Sequence, residues 1–105
     1  MSEAFHPPAT WKLPGAEARF LNALLAARET ATKQWLMDTL YGDDPDGGPD
    51  PKIIDVYVCK LRPKLRALFG EDAIETVWGR GYRIDEATKA VIRAHSAPPP
   101  QEQAA

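Results

Sequence analysis

Apolar residues recur at helical spacing in three stretches of the chain. Phe20, Leu21, Leu24 and Leu25 form the first stripe and predict a helix over residues 15–27. Glu17 falls in its first turn, where the helix macrodipole favours an anion. Pro14 suits the first helical position, which needs no amide hydrogen. Trp35 or Leu36, then Leu40 and Tyr41, form a shorter stripe over residues 33–40, which Thr32 can cap and Gly42 ends. The longest stripe is Ile54, Val58, Leu61, Leu65, Leu68 and Phe69, predicting a helix over residues 51–69 that Gly70 closes. Pro63 lies inside it and removes the hydrogen bond to the Cys59 carbonyl, at roughly 3 kcal/mol. The stripe continues past it, so one kinked helix is expected rather than two.

Elsewhere the period is two. Thr10-Trp11-Lys12-Leu13 has a short strand pattern, and residues 30–32 can pair briefly as a strand. Ile74-Glu75-Thr76-Val77-Trp78 alternates, Gly79-Arg80-Gly81 turns the chain, and Tyr82-Arg83-Ile84 returns, which reads as a hairpin. Residues 42–51 hold three glycines and three prolines among acids and read as a loop. Asp85 can cap a last short helix reaching about His95. Strand, helix, short strand, helix, helix, hairpin is the order of an α+β winged helix-turn-helix: a three-helix core, a small antiparallel sheet and a C-terminal β-hairpin wing.

The chain of 105 residues has room for one domain. Five of the ten prolines sit at its ends. Residues 1–9 therefore read as a tail, 10–84 as the folded domain, and 85–105 as an extension with a short helix and then a disordered tail. With Cys59 alone no intrachain disulfide can form, which suggests a reducing cytosolic setting. No run of 18 apolar residues exists to span a membrane. His6, His95 and Cys59 make no metal spacing, and there is no phosphate loop or nucleophile–base pattern. The expectation is no enzyme, no cofactor, no metal and no small-molecule substrate. Cys59 reads as an inert small residue rather than a redox switch.

The net charge of −2 gives no general reason to expect nucleic acid, but the distribution does. Residues 38–50 carry five acids and no base; residues 52–66 carry five bases and one acid, Asp55. On the third helix, with Ile54 at zero, the core stripe lies within about 40°. Ile53, Val56, Tyr57, Lys60 and Lys64 fall at about 200–300°, on another side. Apolar groups beside lysines suit thymine methyls, guanine acceptors and phosphates. The alternative is a solvated cationic face. Arg62 and Arg66 lie nearer the core edge, to contact phosphate or to cover the core with their stems. Arg80 at a glycine-flanked tip can enter a minor groove or pair with phosphate, or remain solvated. Tyr82 reads as packed; Trp78 stays open between packing and DNA.

Ile54-Asp55-Val56-Tyr57-Val58-Cys59-Lys60-Leu61-Arg62-Pro63-Lys64-Leu65, followed by Ile74-Glu75-Thr76-Val77-Trp78-Gly79-Arg80-Gly81-Tyr82-Arg83-Ile84, resembles the output domain of OmpR/PhoB-type response regulators, with wording closest to CtrA-like cell-cycle regulators. The resemblance covers about residues 11–84. It implies that Lys52, Ile53, Val56, Tyr57, Lys60 and Arg62 face DNA bases or phosphates. It places Thr76, Trp78, Arg80 and Tyr82 in the wing near the backbone or minor groove. It implies that the acidic loop, with Asp43, Asp44 and Asp46, touches RNA polymerase, and that the protein binds tandem half-sites as a homodimer. The family also carries a receiver domain, a four-stranded opening sheet and a capping threonine where Pro14 stands. These departures and Met1 lead us to expect a receiver-less natural gene product: a cytoplasmic, nucleoid-associated bacterial regulator of transcription on double-stranded DNA, controlled by abundance or by a partner on its sheet edge. The rival expectation is a protein-interaction winged helix that binds polymerase or a full-length regulator as a decoy or antagonist.

Overall fold

The computed structural model describes residues 5–95. It comprises α1 (Gly15–Ala26), β1 (Ala31–Thr32), α2 (Lys33–Tyr41), α3 (Ile53–Phe69), β2 (Glu75–Val77), β3 (Gly81–Arg83) and α4 (Glu86–Arg93). The three strands form one antiparallel sheet in the order β1-β3-β2, with Ala31 opposite Tyr82 and Thr76 on the other side of Tyr82. This is a winged helix: three core helices, a small sheet, a hairpin after α3, and a fourth helix beyond the hairpin.

Most of the helical stripes are buried as their spacing predicts. Phe20, Leu21, Leu24 and Leu25 of α1 meet Leu36 of α2 and Ile54, Val58, Leu61 and Leu65 of α3 in a single core. Leu36 takes the core position and leaves Trp35 exposed. Thr32 caps α2 through its hydroxyl, which accepts the Trp35 amide at 3.0 Å. Asp50 accepts the Lys52 amide at 2.8 Å in a turn over residues 51–52, so α3 starts at Ile53 and not at Pro51 as the sequence suggests. α3 runs through Pro63 as one helix and ends at Gly70, whose φ of 82° is left-handed.

Four other expectations need correction. Residues 9–11 form a 3₁₀ turn, not a strand, and Lys12 after it is left-handed (φ 55°). The apolar pair Trp11 and Leu13 reaches the core from a bend because no strand lies beside it to pair with. Pro14 is the cap of α1 rather than its first residue: its ψ of 157° is extended, and its carbonyl accepts the Ala18 amide at 2.9 Å. Leu68 is 42% exposed; Phe69 instead packs edge-on to Trp11 at 5.6 Å, as a 3.6-residue helix drifts off a seven-residue repeat. Gly42 ends α2 without going left-handed (φ −61°).

Packing extends past the boundaries drawn from the sequence. Phe5 is 3% exposed, rests on Trp11 at 5.4 Å, and exchanges two hydrogen bonds with the Asn22 side chain of α1. α4, capped by Asp85, buries Ile92 completely. Its Lys89 donates to the Ala27 carbonyl and Arg93 to the Leu25 carbonyl, so two α4 cations satisfy carbonyls at the end of α1. His95 closes an aromatic cluster with Trp11 and Phe69.

Candidate nucleic-acid interface

The two glycines of the hairpin do different work. Gly79 supplies the positive φ (78°) of the tip, where the Arg80 amide closes the turn on the Val77 carbonyl at 2.9 Å. Gly81 is not part of the turn but of β3, where a Cβ would stand 2.1 Å from the Ala31 carbonyl oxygen. The sheet closes only because that side chain is absent. Trp78 is 88% exposed beside the tip, and Arg80 is exposed as well.

An open groove of about 840 Å³ separates the wing from the helices. Thr76 to Tyr82 form one wall; Thr32, Lys33 and Gln34 at the start of α2 and Asp55 of α3 form the other. The wing and the start of α3 therefore border a common concavity.

The residues singled out in the sequence divide into two sets. Lys52, Val56, Lys60, Trp78 and Arg80 are exposed, and Ile53 is partly so. The others are engaged in the fold. Tyr57 lies against Phe20 at 5.2 Å and shares a 2.6 Å hydrogen bond with the Tyr41 hydroxyl. Arg62 donates to the Ile74 carbonyl (2.9 Å) and the Thr76 hydroxyl (2.8 Å), with its guanidinium 5.8 Å above the Tyr82 ring. Lys64 pairs at 2.7 Å with Glu17, a buried carboxylate of α1. Tyr82 donates to Asp55 at 2.5 Å. Asp43, Asp44 and Asp46 are exposed in the loop before α3, apart from the groove. Sequence reasoning missed Asp55 and Lys33, paired at 3.0 Å. The lone acid among five bases was the available signal.

Burial and the bond to Asp55 push the Tyr82 hydroxyl up to about 12; burial and the bond to Tyr57 do the same for Tyr41. The Tyr82 bond, and then that from Lys33, hold the Asp55 carboxyl below its ordinary range. A raised phenol favours the neutral folded form, so its contribution is complete below pH 10 and is lost as pH rises through about 12. A lowered carboxyl contributes above its unfolded value, about pH 4, and its contribution is lost as pH falls through the lower folded value. Urea titrations should give flat stability between about pH 5 and 9, with a decline above pH 10 that Tyr82→Phe reduces. A decline of the same size in that variant would remove Tyr82 from the account.

A winged helix with an exposed cationic helix face and an arginine-tipped hairpin defines a class, the DNA-binding output domains of transcription regulators. The chain belongs to the family described as "Transcriptional regulatory protein, C terminal", whose model matches residues 9–84. This is the OmpR/PhoB-type DNA-binding domain, a family of regulators and not of enzymes. The chain is 47% identical over 76 residues to the cell cycle response regulator CtrA of Brucella ovis and, equally, to that of Brucella anthropi, covering 70% of this chain and 32% of each relative. It thus spans about a third of the length of these curated relatives. Among solved structures, a RitR mutant aligns with TM-score 0.56 and 28% identity over 67% of this chain and 31% of that one. A structure described as a novel family of redox sensors in the streptococci, evolved from two-component response regulators, aligns with TM-score 0.64 and 22% identity over 82% of this chain and 41% of that one, a likeness of fold. No helix among the described residues is long and apolar enough to cross a membrane.

Proposed function

We propose that this domain binds double-stranded DNA sequence-specifically and regulates transcription, with α3 in the major groove and the wing at the minor groove. The supporting observation is the shared groove between the wing and the start of α3, together with exposed Lys52, Lys60 and Arg80, none of which has an ion pair among the described residues. Val56, on the same helix face one turn before Lys60, suits a thymine methyl; Trp78 and Arg80 suit sugar–phosphate and the minor groove. Arg62, Lys64 and Tyr57 act from within the fold. A homodimer on tandem half-sites, a polymerase contact through Asp43, Asp44 and Asp46, and a place in the bacterial cytoplasm on the nucleoid belong to the same proposal.

Fluorescence anisotropy against salt tests it. Each neutralised phosphate contributes about −0.9 to the log–log slope, so Arg80→Ala reduces its magnitude by about 0.9. Lys60→Ala should weaken specific binding by about 1–3 kcal/mol and non-specific binding by less. Equal weakening would assign Lys60 to phosphate. The exposed acidic loop supports the second reading, a decoy for polymerase or a full-length regulator. No binding to any duplex at low salt, beside tight binding to such a protein, would replace the first reading with it.

A further inference from the structure

Asp55 is an acid in the first turn of the helix assigned to DNA, and it lines the groove where a polyanion would lie. Left unpaired, it would repel phosphate. Its two oxygens are instead taken by three-element bracing. One accepts from the hydroxyl of Tyr82, the central residue of β3; the other accepts from Lys33, the first residue of α2. Seven residues further along α3, Arg62 sits over the ring of the same Tyr82 and bonds the Ile74 carbonyl and Thr76 hydroxyl of the opposite hairpin arm. Two turns of helix separate these grips by about 10 Å. One grip alone leaves a pivot; two fix distance and rotation together.

We propose that Asp55 and Arg62 are positioning residues that hold the wing at a set distance and angle from α3, so that Arg80 meets the duplex in the register that α3 dictates. This rests on the DNA-binding reading above. It assigns Tyr82 and Thr76 to bracing rather than to contact with DNA. The wing is short, and among the described residues its tip, Trp78 to Arg80, makes no hydrogen bond to another element beyond the turn itself. Its aim therefore depends on how its base is held.

The test is a double-mutant cycle on the full chain. Tyr82→Phe keeps the ring over which Arg62 lies and removes only the bond to Asp55. It should weaken binding of a specific duplex about tenfold in the wild-type background, and less than about twofold once Arg80 is alanine. Asp55→Ala should match it, while Asp55→Asn, which keeps an acceptor for the hydroxyl, should recover most of the affinity. Equal losses in both backgrounds would overturn the proposal, since a merely structural defect is blind to Arg80. Amide exchange of the free protein supplies the second arm. Residues 76–82 should exchange about tenfold faster in Tyr82→Phe while α1 stays protected. Should the wild type bind no duplex, the DNA-binding reading fails and this arm alone decides the bracing; unchanged exchange would overturn it.

Discussion

Gly81→Ala should lower the melting temperature by about 15 °C and detach β1 from the hairpin. The added Cβ would meet the Ala31 carbonyl oxygen at 2.1 Å and the Thr32 Cα at 2.8 Å. Both are backbone atoms, so no rotamer change can relieve the clash, and the strands must separate. That breaks the pairing of Ala31 with Tyr82 and of Thr32 with Gly81. Overpacking of this kind costs about 3 kcal/mol, a large share of the stability of so small a domain. Gly79→Ala is the contrast. Its φ of 78° is unfavourable for alanine, but nothing stands within 4 Å of the new Cβ. It should cost only about 1 kcal/mol. Thermal melts followed by circular dichroism check both; equal shifts would mean that β1 does not approach β3 closely.

Ile92→Ala should destabilise the domain by about 3 kcal/mol, although it lies outside the part matched by the family model. Its side chain is fully buried, in a helix that also supplies Lys89 and Arg93 to the carbonyls of Ala27 and Leu25. Removing residues 86–105 deletes both the apolar plug and the two cations, and should abolish the cooperative urea transition. Val91→Ala, next to Ile92 but 49% exposed, should change stability by less than about 0.5 kcal/mol. A truncated chain that still unfolds cooperatively at the wild-type midpoint would show α4 to be dispensable.

The elements that the sequence made legible are those whose pattern is local. The α3 stripe of Ile54, Val58, Leu61 and Leu65 needs only helical periodicity, and Thr32 and Asp85 announce their helices from the adjoining position. Residues 10–13 are ambiguous in sequence because two apolar residues two apart fit either a strand or a tight bend, and only the lack of a neighbour strand among the described residues separates them. Phe5 was hidden by the prolines that follow it. The interface was legible in its charges but not in their partners. A helical wheel takes Lys64 off the core stripe, but cannot show that Glu17, 47 residues earlier, has claimed it. Likewise Arg62 near the core edge suggested phosphate or core cover, whereas its acceptors lie 12 and 14 residues ahead in the hairpin. Such pairings depend on tertiary geometry that no local spacing encodes.

Phe5 and His95 both lie on the ring of Trp11, at 5.4 and 6.0 Å. Two residues 90 positions apart in sequence thus share one aromatic neighbour. A flexible bridge of about five residues, reaching at most about 17 Å, is long enough to join residue 95 to residue 5. The backbone could then be reopened among the exposed residues 43–47 to give a circularly permuted domain with the same packing.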